Sequence, residues 1–308
     1  MKQLRKNRLY LFLVMAAKVG VAAYFGVFVL LIFNQRSLIF PGAYHHNVDF
    51  DRVTPSSAGH LLKNARGDVL GLFEPALGVD RQPVSDVTSR PTLIYFYGNG
   101  SSLKDSRDSI DRFRRDGVNI FIAEYPGFGM NGGEPSEKDC YATADAAYAY
   151  LTHDLHIDPS HIVIAGWSLG TAVAVDLASR VTSAGLVVIS PFTDMAEQSS
   201  HRYPIYPAWL IRLVLRYPFA SDAKIGRVAC PILDIHSKTD TTVPFFMSAR
   251  LMSKAKSPVT RVVIERAGHN EFFTVGGDRV YTQMLDFVYA STRLEREPIK
   301  RNVVLTRP

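Results

Sequence analysis

The sequence contains few residues of the kinds that mark specialised protein classes. It has only two cysteines in 308 residues, Cys140 and Cys230, and neither belongs to a Cys-x-x-Cys pair. A disulfide scaffold and a cysteine-based metal cluster are therefore excluded, and we expect both residues to be buried thiols. Apolar residues make up 47% and charged residues 21%. This composition supplies a sizeable core and excludes disordered and collagen-like chains.

The sequence also lacks a basic body that would attract nucleic acid. The formal net charge is +6, but the basic residues of 1–8 and of the tail 293–308 account for all of it. The remainder, residues 9–292, carries a net charge of about −1, so no nucleic-acid partner is predicted. The basic ends favour contact with anionic membrane lipids. Nothing in the sequence predicts an obligate protein partner.

One long apolar run lies near the N-terminus. Residues 9–33 are apolar except for Lys18, and about 25 residues at about 1.5 Å each exceed a hydrocarbon core of about 30 Å. We predict an uncleaved transmembrane signal anchor, with the alternative that Val21-Ala22-Ala23 is a signal-peptide cleavage site. The basic residues of 1–8 place the N-terminus in the cytoplasm and the body on the non-cytoplasmic side of a single-pass protein.

The polar, turn-rich stretch that follows the anchor separates it from the body. We predict a linker over 34–57, a folded domain over 58–292 and a basic tail over 293–308. His45 and His46 within the linker suggest a metal site, but adjacent histidines do not easily converge on one ion and no carboxylate has a suitable spacing. No metal and no organic cofactor is therefore predicted.

Short apolar runs alternate with amphipathic stretches through the body. A hairpin is predicted over 60–74, then strands over 92–97, 119–124, 161–166, 185–190, 231–236 and 260–265, with helices over 104–115, 137–154, 169–180, 244–255 and 271–290. This alternation indicates an α/β fold with a mostly parallel sheet flanked by helices. In such folds the chemistry lies at the carboxyl ends of the strands.

Three residues at predicted strand ends form a candidate catalytic set. Gly166-Trp167-Ser168-Leu169-Gly170 has the G-x-S-x-G pattern between a strand and a helix, which is the context of a nucleophile elbow. Because a serine hydroxyl needs a positioned base, a histidine and a carboxylate are expected at the later strand ends. His269 follows the last strand, and Asp240 follows the strand before it; Asp222 and Asp234 are less favourably placed. The order Ser168, Asp240, His269 is that of α/β-hydrolases.

Two backbone amides are candidates for an oxyanion hole. One is the N–H of Leu169, directly after the serine. The other is the N–H of Asn99 in the loop Tyr97-Gly98-Asn99-Gly100 that follows the first central strand. A phosphate-binding loop is the alternative, but no Walker lysine follows and the glycine spacing does not fit.

With these residues assembled, residues 58–290 resemble the α/β-hydrolase superfamily. The sequence is most similar to a single-pass membrane branch that includes lysophospholipases, monoacylglycerol lipases and protein depalmitoylases, with a domain like that of serine aminopeptidases. The shared segments are Gln35–Pro41, Tyr97–Gly100, Glu124–Gly129, Gly166–Gly170, Ser190–Thr193, Asp240–Pro244 and Gly268–Asn270. Tyr97, Pro126 and Ser237 depart from the pattern, where the branch usually has histidine, arginine and glycine.

The resemblance implies a serine hydrolase that cleaves ester or thioester bonds of lipid-like acyl substrates through Ser168, His269 and Asp240. A small lid is expected over about 191–228, where aromatic, aliphatic and arginine residues mix. This lid roofs an acyl pocket or lies at a bilayer; the alternative is a helix packed on the core. Two other functions stay open: a serine peptidase or amidase of the aminopeptidase type, and a non-catalytic membrane-anchored scaffold.

Overall fold

The computed structural model of the chain describes residues 2–45 and 52–296. The predicted N-terminal segment 1–8, linker 34–57 and tail 293–308 each lie partly outside these ranges. His46, one of the two histidines weighed as metal ligands, also lies outside the described residues.

The body is built on one mixed sheet. The strands are β1 (His60–Lys63), β2 (Val69–Glu74), β3 (Thr92–Phe96), β4 (Asn119–Ala123), β5 (Ile162–Trp167), β6 (Gly185–Ile189), β7 (Ile232–Ser237) and β8 (Val259–Ile264). Among the described residues they form a sheet in the order β1-β2-β4-β3-β5-β6-β7-β8. The pairs β1–β2 and β2–β4 are antiparallel, and β3 to β8 pair in parallel. The predicted α/β fold class and the entry hairpin are confirmed.

The central strands are buried along their whole length. Every residue of β3, β4 and β6 is buried, which is why these segments are continuous apolar runs rather than alternating ones. Such runs are typical of parallel sheets covered on both faces. The free cysteines Cys140 and Cys230 are also buried, as predicted.

Helices between the strands cover the sheet. They are α4 (Leu103–Ile110), α5 (Arg112–Arg115), α6 (Glu137–Ala149), α7 (Leu169–Ala178), α8 (Met195–Arg202), α9 (Ala208–Arg212), α10 (Phe245–Met252) and α11 (Phe272–Thr292), preceded by α1 (Lys2–Phe33), α2 (Gln35–Ile39) and α3 (Gly42–His45). The Ser136 hydroxyl accepts a hydrogen bond from the Asp139 N–H and so caps α6 as its sequence predicts. The helix predicted over 104–115 is divided into α4 and α5 at Asp111.

Helix α1 contains the apolar run. Its segment Arg5–Phe33 has a mean hydropathy of 2.1 and is long and apolar enough to cross a membrane. Only 6% of its most apolar 18-residue stretch is buried. Residues 5–23 are exposed except for the half-buried Val14. From Tyr24 onward the helix contacts the body.

The segment after α1 is more ordered than a linker. The described part of 34–57 contains α2 and α3, and the ring of Phe40 between them is fully buried. Phe40 packs edge-on against Phe128, Tyr217 and Phe219 at centroid distances of 6.5, 5.4 and 6.0 Å. Ile39 and Phe40 thus belong to the core of the body, and their burial ties the segment after α1 to it.

Candidate active site

Ser168 lies on a sharp turn between β5 and α7. Its backbone has φ 52° and ψ −119°, a conformation that L residues adopt only under strain. Two glycines make the turn possible: a Cβ on Gly166 would lie 2.2 Å from the Gly170 carbonyl oxygen, and a Cβ on Gly170 would lie 2.0 Å from the Phe96 carbonyl oxygen. The turn holds the Ser168 side chain at the wall of a cavity.

Asp240 and His269 meet directly. The His269 Nδ1 lies 2.7 Å from the Asp240 Oδ2, and because a carboxylate only accepts, the Nδ1 carries the proton. The other oxygen, Oδ1, accepts hydrogen bonds from the Thr242 and Val243 N–H groups, each at 2.9 Å. The carboxylate is therefore fixed by the loop that follows β7 as well as by the imidazole.

The surroundings of Asp240 keep it ionised. Burial raises its pKa, but hydrogen bonds from His236, His269 and the Val243 N–H outweigh burial, so the pKa lies below its ordinary value. An ionised carboxylate at this position stabilises a positive charge on the imidazole of His269.

The loop after β3 lies against Ser168. A Cβ on Gly98 would be 3.2 Å from the Ser168 Cβ, a tight contact that a glycine avoids. Asn99 is fixed from both sides: its side-chain Nδ2 donates to the Ile39 carbonyl at 2.9 Å, and its own carbonyl accepts from the Gly42 N–H at 2.9 Å. The segment after α1 therefore positions this loop.

Tyr97 stands where the similar branch usually has histidine. Its ring is fully buried, and its hydroxyl donates a short hydrogen bond to the Glu124 carboxylate. The Tyr125 N–H donates to the same hydroxyl, and the Tyr125 hydroxyl donates to the Tyr97 carbonyl, both at 3.3 Å. Burial, followed by the charge of Glu124, raises the pKa of Tyr97 well above its ordinary value. Tyr97 is thus a neutral donor that anchors the start of the loop.

A cavity of about 390 Å³ lies beside Ser168 and the loop after β3, and Thr242 and Val243 also line it. Asp240 and His269 are not among the described residues that line it. Its polar end contains Ser168, Leu169 and Asn99, and its walls are otherwise mostly apolar. We call its roof, residues 195–215, the cap. None of the described residues that line the cavity is acidic, and within residues 2–45 and 52–296 no group of three or more His, Cys, Asp or Glu residues is placed to hold a metal ion.

Comparison with known proteins agrees with the fold described above. A profile described as "Alpha/beta hydrolase family" matches residues 96–222. The uncharacterized protein Rv2307c of Mycobacterium tuberculosis is 36% identical over 246 residues, which are 80% of this chain and 84% of that protein. The chain belongs to the α/β-hydrolase family. The human alpha/beta hydrolase domain-containing protein 17B is 32% identical over 184 residues, and the match spans 58% of this α/β-hydrolase and 60% of that relative, less than two thirds of its length.

Solved structures share the fold of this α/β-hydrolase at low sequence identity. The α/β-hydrolase GrgF from Penicillium sp. sh18 has a TM-score of 0.59 at 15% identity, covering 77% of this chain and 99% of that one. The esterase Pf2001 from Pyrococcus furiosus has a TM-score of 0.57 at 16% identity, covering 75% and 90%.

Two neighbours of the α/β-hydrolase site carried no signal in the sequence. The His236 Nε2 lies 3.5 Å from the Asp240 Oδ2 and 2.9 Å from the Val243 carbonyl. The Trp167 ring stacks on His269 at 5.7 Å between centroids. His236 belongs to no motif, whereas the position of Trp167 inside G-x-S-x-G could have indicated that it lies near the base.

The two other aspartates weighed for the acid lie in different contacts. Asp234 accepts hydrogen bonds from Ser248 at 2.5 Å and from Arg261 at 2.8 Å. Asp222 pairs with Lys254 at 2.7 Å. Of the three aspartates, Asp240 alone has a described hydrogen bond with His269.

Proposed function

We propose that this α/β-hydrolase is a membrane-anchored serine hydrolase that cleaves ester or thioester bonds of long-chain, lipid-like acyl substrates. The observation that carries the proposal is the His269–Asp240 hydrogen bond at the same sheet edge as Ser168 on its strained turn. Family membership supports hydrolysis in general. The apolar walls of the cavity support an acyl chain as the group that is recognised.

In the proposed reaction the Ser168 Oγ attacks the acyl carbonyl carbon while the His269 Nε2 takes its proton. The Asp240 carboxylate holds the Nδ1–H tautomer and stabilises the imidazolium. The N–H groups of Asn99 and Leu169 donate to the developing oxyanion. His269 then returns the proton to the leaving alcohol or thiol, and an acyl-enzyme remains. A water molecule, deprotonated by His269, releases the acid and restores Ser168.

The lining of the cavity argues against the aminopeptidase alternative. An aminopeptidase needs acidic groups to bind the substrate amine, and none of the described lining residues is acidic. The long-chain acyl proposal is therefore preferred over peptide or amide hydrolysis. The scaffold alternative has no observation in its favour.

For the membrane, we propose that α1 is a single-pass anchor with its N-terminus in the cytoplasm and the body on the other side. The length and hydropathy of Arg5–Phe33 support a span, and the basic residues of 1–8 support the orientation. A glycosylation acceptor added near residue 296 tests the orientation. If the acceptor stays unmodified while the same acceptor added before residue 1 is modified, the proposed orientation is wrong.

The catalytic proposal is tested with detergent-extracted protein and p-nitrophenyl esters of two to sixteen carbons, together with a palmitoyl thioester. We expect hydrolysis and labelling by a fluorophosphonate probe, both lost in Ser168→Ala by a factor of about 10³ or more. Ser179→Ala, at the other end of α7, is the matched control and should behave as wild type. Equal turnover by Ser168→Ala, or no turnover and no labelling in the wild type, would overturn the proposal.

A further inference from the structure

The second half of α1 is a structural part of the body. Its contact residues are Tyr24, Phe28, Leu31 and Ile32, at the intervals of four, three and one that place side chains on one helix face. These side chains pack with Tyr206, Ile211 and neighbouring residues of the cap. The first half, residues 5–23, has no buried residue. One continuous helix therefore has a free half and a docked half.

Hydrogen bonds stabilise the contact between α1 and the cap at both of its ends. At the N-terminal end of the contact, the Tyr24 hydroxyl donates to the Ile205 carbonyl at 3.1 Å, and the Tyr206 hydroxyl donates to the Tyr24 carbonyl at 2.8 Å. At the C-terminal end, directly after α1, Gln35 is the first residue of α2. Its Nε2 donates to the Val214 carbonyl and its Oε1 accepts from the Arg216 N–H, both at 2.9 Å. Gln35 is buried, so both of its polar atoms are matched away from water.

Residues from both sets of hydrogen bonds line the cavity: Tyr206 from the first, and Gln35 and Val214 from the second. One wall consists of Phe28, Leu31 and Ile32 of α1 together with Leu38 of α2. The cap forms another wall, and Ser168 is at the polar end. An acyl chain attached to Ser168 and filling this space would run along α1. The docked half of α1 therefore occupies the position of a substrate-binding element.

The depth of this contact in a bilayer follows from the length of the helical segment that makes it. Residues 24–33 span about 15 Å, which is half of a hydrocarbon core of about 30 Å and thus one leaflet. Lys18 lies about 22 Å before Phe33 along the helix, in the opposite leaflet and near its surface, where a long side chain reaches water.

The cap is apolar on its outer side as well. Ile205, Trp209 and Leu213 are 62, 63 and 73% exposed and recur every four residues. On the adjacent helix Leu30 and Phe33 are 63 and 74% exposed. A patch of this composition next to a spanning helix fits hydrocarbon rather than water.

We infer that residues 24–33 of α1 form a wall of the acyl-binding site, and that the substrate is a long-chain ester or thioester whose acyl chain resides in the same leaflet. The chain passes between α1 and the cap without leaving the hydrocarbon. This inference rests on the proposed serine hydrolase function. It makes the anchor a determinant of chain length, whereas an ordinary anchor only tethers the enzyme.

Leu31→Trp tests the inference by filling the cavity from the helix side. We expect hydrolysis of sixteen-carbon substrates to fall by tenfold or more, while hydrolysis of two- and four-carbon esters stays within about twofold of wild type. The matched control is Leu30→Trp, which adds the same ring on the exposed face and should keep the wild-type chain-length profile. Two long-chain substrates in vesicles, a lysophospholipid and an S-palmitoyl peptide, distinguish a lipid ester from a protein thioester as the source of the chain.

A second measurement does not depend on how a variant folds. Wild-type protein in vesicles is labelled at Ser168 with a fluorophosphonate that carries a sixteen-carbon chain ending in a photoreactive diazirine, then irradiated and digested. We expect a cross-link to a peptide from residues 24–38. Cross-links confined to the cap or the sheet, together with an unchanged chain-length profile in Leu31→Trp, would overturn the inference while leaving Ser168-dependent hydrolysis intact. Absence of Ser168 labelling would instead overturn the proposed function.

Discussion

The two ends of the cavity are held by different kinds of structure. At the polar end, Ser168, Asp240 and His269 follow the parallel strands β5, β7 and β8, whose register fixes them through backbone hydrogen bonds. At the apolar end, α1 and the cap meet through side chains about 180 residues apart in the chain, such as the rings of Phe28 and Tyr206. Strand ends set the geometry of a reaction, while an interface between helix and cap sets the shape of a pocket. Changes at the polar end should therefore alter the rate for every substrate, and changes at the apolar end should alter the dependence on chain length.

After loss of the nucleophile itself, the largest effect is expected at the carboxylate that orients the base. Asp240→Asn replaces an acceptor with an amide that can donate to His269, which favours the wrong tautomer. We expect kcat to fall by about 10⁴, as in other serine triads, and equally for short and long acyl chains. Initial rates with two-carbon and sixteen-carbon esters measure this.

The matched control for that change is Asp222→Asn. Asp222 is an acid of the predicted lid that pairs with Lys254 away from His269, and its variant should retain wild-type rates. A loss in Asp240→Asn that differs by more than about threefold between chain lengths would contradict the separation of the two ends.

A smaller but uniform loss is expected where the polar end depends on the segment after α1. Asn99→Ala removes the bond from the side-chain Nδ2 to the Ile39 carbonyl and so loosens the loop that supplies an oxyanion N–H. A displacement of about 1 Å costs about 10² in rate, and we expect kcat to fall by about this factor with little change in KM. Ser101→Ala, in the same loop, is the control. A selective loss of long-chain substrates in Asn99→Ala would show that the residue shapes the pocket instead.

The polar end could be predicted from the sequence because each of its parts has a local signature. The strands are apolar runs, the elbow has its two glycines, and Asp240 and His269 follow strands in a chemically meaningful order. These patterns reflect backbone requirements that act within a few residues. The eight-stranded sheet and the helices between the strands were predictable for the same reason.

The apolar end had no such signature. The sequence of α1 predicts a helix that can span a membrane, but the interval pattern of Tyr24, Phe28 and Leu31 is hidden because every position around them is also apolar. The sequence predicts a linker over 34–57, although Phe40 within it completes an aromatic cluster. A contact between residues far apart in the chain depends on the complementary shapes of the two surfaces, and these surfaces exist only in the folded chain.

The smallest effect is expected on the outer side of the cap. Trp209 is 63% exposed and does not line the cavity, so Trp209→Ser should leave hydrolysis of a soluble two-carbon ester unchanged. With a long-chain substrate in vesicles, we expect the rate to fall by about three- to tenfold, because burying a large apolar side chain in hydrocarbon contributes about 1.5–3 kcal/mol and the proposed anchor α1 would still hold the protein at the membrane. Val79→Ser is the control, since Val79 is 56% exposed in the loop before β3, at the opposite edge of the sheet. An equal fall for both variants in vesicles would mean that the cap has no special contact with the bilayer, and the apolar end would then differ from the polar end in its packing alone.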